Sequence, residues 1–301
     1  MEIETLALEI PFAKPDLVYV YFIDSEIMID GGFCSQEHAD KISEFEPKGV
    51  LITHHHVDHV GYLFFSEIES YLHPIERRLI EIYEKPQIFL ERQYQICRKF
   101  GIPIEYPKTL EILSSLKLNI LSKISELKEQ NFGFKPIHVP GHTPGHTCFY
   151  RDNALFSGDA ILSETTPNLG LYLDYPYGVE DYLRALRELR KLEIEVIYPA
   201  HEKRIYDVVE RIDSLIEHYT QRTIEVLEIL DYKPMLAEDV AKEIEWAEGR
   251  YEDLNPFDRY LALLETLSYL RSLEKKGFVK STGNPTVFLK IRSFHCQKEE
   301  I

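Results

Sequence analysis

The sequence lacks any apolar stretch long enough to cross a bilayer, and Met1–Thr5 contain no basic segment of the kind that begins a secretion signal. Cysteine is scarce. The four residues Cys34, Cys97, Cys148 and Cys296 are far apart and follow no spacing typical of a disulfide framework or a zinc finger. We therefore expect a cytoplasmic chain with reduced thiols and no membrane partner.

Basic residues are also few, because 34 lysines and arginines face 51 aspartates and glutamates. The formal net charge is −17, whereas nucleic-acid binders normally present a basic surface, because phosphate contacts supply much of their affinity. The acidic total disfavours a polyanionic substrate, although it leaves room for a local basic groove. Across 301 residues, hydrophobic side chains make up 44% and aromatic ones 12%. That composition supports a substantial core and two domains.

Histidine and aspartate are concentrated in one short segment directly after an apolar run. Residues Thr53–Gly61 read THHHVDHVG and follow Gly49–Ile52, which has the composition of a buried strand. Imidazole and carboxylate are the ligands that suit zinc and neighbouring first-row metals. Four such side chains within six residues can surround a metal only if the chain turns sharply. The spacing therefore predicts a metal site in a loop that follows a strand end.

Four further segments place an aspartate or a histidine just after a strand-like run. They are Ile27–Gly32 with Asp30, Val139–Thr147 with His142 and His146, Ala154–Ala160 with Asp159, and Glu195–Glu202 with His201. Ligands on successive strand ends converge at one edge of a sheet, where active sites usually form. We therefore expect a single site built from all five segments.

These five motifs, in this order over residues 24 to 201, resemble the metallo-β-lactamase superfamily and, within it, hydroxyacylglutathione hydrolases. The resemblance implies an α/β fold, the αββα sandwich of two packed sheets with helices outside, and a two-metal site along one edge. Two divalent ions per chain are expected, with zinc favoured and iron or manganese as alternatives. The resemblance assigns His54, His56 and His142 to the first ion, Asp58, His59 and His201 to the second, and Asp159 to both.

Other residues near these motifs receive supporting roles. Asp30 is expected to orient a ligating histidine rather than bind metal, and His146 to pack or hydrogen-bond beside the site. His55 lies between two ligands in an extended segment, so its side chain should point the opposite way. In the turn-rich loop after the bridging aspartate, Tyr172 and Tyr175 are candidates for substrate contact, with packing as the alternative.

A long insertion, about 64–131, separates the first two histidine clusters. Ile75–Tyr83 and Gln87–Cys97 carry apolar residues at helical spacing, and residues 110–130 add further helix-like sequence. The insertion could pack on the surface. It could also cover the substrate or form a homodimer contact, since long insertions in compact enzymes are often functional.

The first domain is expected over 1–215 and a second over 216–301. The second shows three helical patterns and two strand-like runs, at Ile205–Leu230, Ala237–Trp246, Phe257–Lys276, Phe278–Lys280 and Thr286–Ile291. Three helices and a hairpin resemble the winged helix on the β-lactamase-like endoribonuclease branch of the superfamily. Thirteen acidic residues oppose eleven basic ones over 220–292. This mixture favours a structural or dimerising role over nucleic-acid contact.

Three functions follow from these patterns. The first is an ester or thioester hydrolase for a small acyl substrate, in which Asp58 orients or deprotonates a metal-bridging water and the resulting hydroxide attacks the substrate. The second is an endoribonuclease acting on single-stranded RNA, and the third is a non-hydrolytic redox or regulatory metalloprotein. The net charge favours the small acyl substrate. RNA, if bound, should contact the basic cluster, which comprises Lys275, Lys276, Lys280, Lys290 and Arg292.

Overall fold

The computed structural model describes residues 1–11, 16–80, 84–102, 121–127, 132–172, 175, 178–247 and 249–293. The chain divides into two compact units. The first comprises the described residues of Met1–Glu84, Lys117–Pro167 and Ala185–Asp213, and the second those of Lys85–Leu116, Asn168–Arg184 and Ser214–Ile301. The second unit is therefore drawn from three separate stretches of sequence.

A mixed six-stranded sheet forms one layer of the first unit. Its strands follow chain order: β1 (Ile3–Glu9), β2 (Leu17–Ile23), β3 (Ile27–Ile29), β4 (Gly49–Leu51), β5 (Ser70–Leu72) and β6 (Ile124–Glu126). Strands β1 to β3 pair antiparallel, and β3 to β6 run parallel to one another. Strands β3 and β4 are buried at every position, as is typical of parallel strands covered on both faces.

A four-stranded sheet forms the second layer. It contains β7 (Lys135–His138), β8 (Thr147–Arg151), β9 (Ala154–Gly158) and β10 (Val196–Pro199), in the order β10-β9-β8-β7. An apolar core joins the two sheets, with Tyr21 and Ile29 from the first facing Phe149 and Phe156 from the second. The Phe156 ring stacks on Tyr198 at 5.0 Å and meets Tyr21 edge-on at 5.3 Å. This sandwich confirms the α/β fold.

Two helices of the first unit begin at residues that cap them. In the first unit, α1 (Gln36–Ser43) is capped by the Ser35 hydroxyl, which accepts the His38 amide, and α2 (Pro74–Leu79) starts with proline at its first turn. The next α-helices along the described chain are α3 (Pro86–Phe100), α4 (Val179–Leu189) and α5 (Val208–Ile229). None of the helices in the described part of the chain is long and apolar enough to span a membrane.

The carboxy-terminal part of the second unit combines helices with a small sheet. Helices α6 (Ala237–Lys242) and α7 (Pro256–Lys275) accompany strands β11 (Met235–Leu236), β14 (Val279–Thr282) and β15 (Val287–Lys290), which pair antiparallel in the order β11-β15-β14. A separate hairpin joins β12 (Glu245–Trp246) to β13 (Gly249–Arg250). Asn255 caps α7 by accepting two backbone amides.

Two expectations about secondary structure were wrong. In the predicted insertion, α2 and α3 confirm the helical patterns at Ile75–Tyr83 and Gln87–Cys97, but β5 and β6 extend the first sheet. Residues 81–83, 103–120 and 128–131 lie outside the described residues. Strands of three residues are too short to show a hydrophobic period. The helix expected at Ala237–Trp246 ends at Lys242, because Trp246 pairs in the β12–β13 hairpin and its indole donates to the Ala241 carbonyl.

Three of the four cysteines lie within the described residues. Cys34, Cys97 and Cys148 are free thiols there, and Cys296 lies outside the described residues. Burial raises the pKa of Cys34 to about 11 and that of Cys148 further, so both stay protonated and unreactive at neutral pH.

Candidate metal centre

Polar side chains follow the ends of several strands in the first unit, at the edge where the two sheets meet. His54 to His59 follow β4, Asp159 follows β9 and His201 follows β10, whereas His142 lies in the connection from β7 to β8. Successive segments therefore deliver their side chains to one place. They form two clusters in which the possible ligand atoms lie within 4.8 Å of one another.

The first cluster consists of His54, His56, His142 and Asp159. Nδ1 of His56 lies 2.9 Å from Nε2 of His54 and 3.0 Å from Nε2 of His142. Oδ2 of Asp159 lies 3.4 Å from Nε2 of His142 and 3.9 Å from Nε2 of His54. Three ring nitrogens and one carboxylate oxygen thus surround a common point.

The second cluster consists of Asp58, His59 and His201, together with the other oxygen of Asp159. Oδ1 of Asp159 lies 3.3 Å from Nε2 of His59 and 3.4 Å from Nε2 of His201. Oδ2 of Asp58 lies 3.7 and 3.5 Å from the same two nitrogens. Asp159 therefore presents one carboxylate oxygen to each cluster.

The donor set fits divalent metal ions in both its chemistry and its spacing. Ligand nitrogens about 2.0 Å from a tetrahedral zinc are about 3.3 Å apart, close to the separations found here. Nε2 of His59 and Oδ1 of Asp159 are buried and make no hydrogen bond to any described residue. Buried polar atoms normally have a partner, so these two atoms suit a bound cation.

Asp30 holds the imidazole of His59 from behind. Its carboxylate accepts the amide and hydroxyl of Thr53 at 2.8 and 2.9 Å and lies 2.9 Å from Nδ1 of His59. A carboxylate can only accept, so Nδ1 carries the proton and Nε2 faces the cluster with its lone pair. Asp30 has a φ of 60°, a left-handed conformation that aspartate tolerates better than most residues.

Backbone carbonyls and amides fix two further histidines. Nδ1 of His201 donates to the Leu17 carbonyl at 2.6 Å, which leaves Nε2 as the ligand atom. His146 is not in either cluster; its Nε2 accepts the amide of Asp159 at 3.2 Å, and its ring stacks on His54 at 4.9 Å. His146 therefore supports the position of Asp159.

Protonation in the first cluster is set by burial. Burial lowers the pKa of His54 and His56 well below the ordinary value, and neighbouring imidazoles add to the shift. Both rings are therefore neutral at neutral pH, which is the form that binds metal.

Protonation in the second cluster is set by carboxylates. Burial opposes the charge on His201, but Asp159 and Asp58 raise its pKa to about 9. Burial also opposes the charge on Asp58, yet the imidazoles of His59 and His201 hold the pKa of that carboxyl well below its usual range.

Several contacts were not predicted. The expected position of His55 outside both clusters gave no hint of its partner: its amide and Nδ1 donate to Glu76 at 2.9 and 2.5 Å. Glu202 accepts the amides of Glu164 and Thr165 beside the last histidine. Glu202 could have been noticed from its position next to His201, but no periodicity or motif points to Glu76.

The two tyrosines proposed for substrate contact lie outside the unit that holds the two ligand clusters. Tyr172 and Tyr175 belong to the second unit and are half-buried. They are joined by a hydrogen bond from the Tyr175 amide to the Tyr172 carbonyl at 3.1 Å. Neither belongs to the two ligand clusters found among the described residues.

Comparison with known proteins identifies a family and several proteins that resemble this chain. Residues 13–201 match the family described as the Metallo-beta-lactamase superfamily. A probable metallo-hydrolase of Bacillus subtilis, YqjP, is 27% identical over 92% of this chain and 94% of its own. The crystal structure of a metallo-beta-lactamase family protein from Thermus thermophilus superposes with a TM-score of 0.76 at 25% identity. The match covers 96% of this chain and 98% of that one.

A shorter similarity involves a protein with a named activity. An atrochrysone carboxyl ACP thioesterase of Paecilomyces divaricatus is 34% identical over 102 residues, which are 32% of this chain and 29% of that protein.

Proposed function

Because the chain belongs to the metallo-beta-lactamase superfamily and is a hydrolase of that fold, we propose that it cleaves an ester or thioester of a small acyl substrate with two bound divalent ions. The observation that carries the two-ion part is the position of Asp159, whose two oxygens face different clusters. Zinc suits the mixture of imidazole and carboxylate donors, and iron or manganese are the alternatives.

The proposed site assigns separate tasks to its residues. Two bound divalent ions would supply a nucleophile from water at neutral pH and stabilise the negative charge that develops on the substrate. Asp58 is ionised and partly exposed, with 21% of its side chain accessible, so it can accept a hydrogen bond from the attacking water. Asp30 fixes His59, and His146 fixes Asp159. Tyr172 and Tyr175 remain candidates for substrate contact.

Charge supports a small acyl substrate rather than RNA. The net charge is −17, and the basic cluster of the second unit is partly neutralised. Lys275 pairs with Glu180 at 2.6 Å and lies 3.6 Å from Asp181. Lys290 and Arg292 lie over aromatic rings. The similarity of a 102-residue segment to a thioesterase also supports hydrolysis of an acyl substrate.

A single-stranded RNA nuclease is the second candidate, favoured by the carboxy-terminal architecture. We propose that α5, α6 and α7 with the sheet β11-β15-β14 form a winged helix within the described part of residues 216–301. The support is the alternation of helices with a three-stranded sheet and the hairpin between β14 and β15. Winged helices often bind nucleic acids, but they also serve as dimerisation modules. A homodimer through this domain is the alternative role.

The two candidates respond differently to salt. The test measures hydrolysis of p-nitrophenyl acetate and an acyl thioester, and cleavage of a fluorogenic single-stranded RNA, from low to high sodium chloride. Acyl hydrolysis should change little, because few ionic contacts form with a small substrate. RNA cleavage should fall steeply, because each phosphate contact releases counterions.

A matched pair of variants separates the candidates further. Replacing Lys276 and Lys280 with alanine leaves the Lys275–Glu180 ion pair in place. We expect no change in acyl hydrolysis, whereas Asp58→Ala should abolish it. Efficient RNA cleavage that is lost in both the double lysine variant and Asp58→Ala would replace the acyl assignment with the nuclease.

A further inference from the structure

The two loops that supply the first cluster are held together by a buried carboxylate outside that cluster. Glu76 is fully buried in the first turn of α2, which begins with Pro74 and is capped by Nδ1 of His73. Oε2 of Glu76 accepts the amide and Nδ1 of His55 at 2.9 and 2.5 Å. Oε1 accepts the amide of Gly145 at 2.6 Å.

These contacts lie directly beside ligand residues. His55 stands between His54 and His56, so its bond to Glu76 fixes the backbone that orients both rings. Gly145 follows His142 by three residues in the second loop. One carboxylate therefore spans the two loops that supply all three histidines of the first cluster.

The close contact between Gly145 and Glu76 leaves no room for a side chain at residue 145. A Cβ atom on residue 145 would lie 2.9 Å from Oε1 of Glu76 and 2.8 Å from Nδ1 of His73. A side chain there would displace the carboxylate or the loop. The loop is also braced nearby, because Nε2 of His138 lies 2.8 Å from the Pro144 carbonyl and its ring stacks on His73 at 4.6 Å.

We propose that Glu76 is a positioning residue for the first metal, which it serves by locking His54, His56 and His142 into one arrangement without touching the ion. The proposal rests on the two-metal site proposed above. Residues that orient metal ligands typically change metal affinity about 10–100-fold when they are replaced. Glu76 has no contact with the second cluster among the described residues, so its effect should be confined to the first.

The substitution Glu76→Gln tests this role because it keeps the size of the side chain. A glutamine offers one oxygen and one amide NH₂, so either His55 or Gly145 would present its N–H to another donor. The first cluster should then hold its histidines less tightly. The protein is compared in two backgrounds: His201→Ala, which leaves the first cluster intact, and His56→Ala, which leaves the second.

The measurement is zinc affinity by competition with a chromophoric chelator, which needs no substrate. We expect Glu76→Gln to weaken zinc binding about 10–100-fold in the His201→Ala background and to leave it unchanged in the His56→Ala background. Gly145→Ala should reproduce this pattern. Asp213→Asn is the control, because it removes a carboxylate paired with Arg190 at the surface of the same unit, and it should change neither affinity.

Each outcome is informative. Retained affinity in the His56→Ala background shows that the variant is folded. Unchanged affinity in both backgrounds, or equal loss in both, would overturn the proposal, because the second result means a general structural role. A wild-type chain that binds fewer than two zinc ions contradicts the two-metal proposal itself, independently of Glu76.

Discussion

Nδ1 of His59 donates a hydrogen bond of 2.9 Å to Oδ2 of Asp30, although 29 residues separate them in the sequence. The contact brings the end of β3 against the loop after β4. Asp30 therefore selects which nitrogen of His59 is available to a metal ion.

Asp30→Asn should weaken the second site. The amide can offer its NH₂ to the Nδ1–H of His59, which would favour the wrong tautomer or a rotated ring. We expect zinc affinity of that site to fall about 10–100-fold, measured by chelator competition in the His56→Ala background. Asp24→Asn, at a surface pair with Arg151, should leave it unchanged. Equal effects of the two variants would contradict the role of Asp30.

Asp159 should matter to both metals at once. We expect wild-type protein prepared without chelator to contain about two divalent ions per chain. His56→Ala should reduce that to about one, whereas Asp159→Ala should reduce occupancy at both sites, because each of its oxygens faces a different cluster. Elemental analysis of the purified variants measures the difference. An Asp159→Ala protein that retains one fully occupied site would show that the carboxylate serves only one ion.

Stability of the second unit should depend on pH through Glu265. This carboxyl is partly buried and accepts Nδ2 of Asn168 at 2.7 Å, and burial raises its pKa from 4.5 to about 7. Folding thus favours the protonated form. The stabilisation is complete below pH 4.5 and is lost as pH rises through 7, on the order of 2 kcal/mol.

Urea unfolding at pH 5 and pH 8, followed by the fluorescence of Trp246, measures this change, because Trp246 is the single tryptophan and lies in the second unit. Glu265→Gln should reduce the difference between the two pH values. Glu228→Gln, on the exposed face of α5, should preserve it. A difference that survives Glu265→Gln would assign the pH dependence to another group.

The aromatic core between the sheets should dominate the stability of the first unit. Phe156 is fully buried and contacts Tyr21, Phe134 and Tyr198. Phe156→Ala should cost about 3–5 kcal/mol of unfolding free energy, because it leaves a cavity. Phe132→Ala, at a position 44% exposed, should cost much less. Chemical denaturation of both variants gives the comparison, and similar losses would mean that the core tolerates the cavity.

The tyrosines that follow Asp159 in the sequence are tested by turnover. If Tyr172 or Tyr175 donates to substrate, the phenylalanine variant should lower kcat/KM about tenfold or more for a working ester, with unchanged metal content. Unchanged kcat/KM in both variants would assign these rings to packing alone.

The position of the site could be predicted from sequence because its ligands follow buried strands, and strand ends are fixed by the sheets. His54, Asp159 and His201 come three, one and two residues after the ends of β4, β9 and β10. Glu76 could not be predicted in the same way. Its contacts depend on how α2 returns towards two loops, and neither helical spacing nor residue type reveals that path. Strands β5 and β6 were missed because three residues carry too little pattern.

The hydrogen bond from His201 to the Leu17 carbonyl links residues 184 positions apart. The second cluster therefore cannot be completed on a ribosome until residue 201 has emerged and β2 has been incorporated into its sheet. Contacts of such long sequence separation form late, because a large loop must close first. Metal capture at that cluster should consequently follow the pairing of the strands that build both sheets of the first unit.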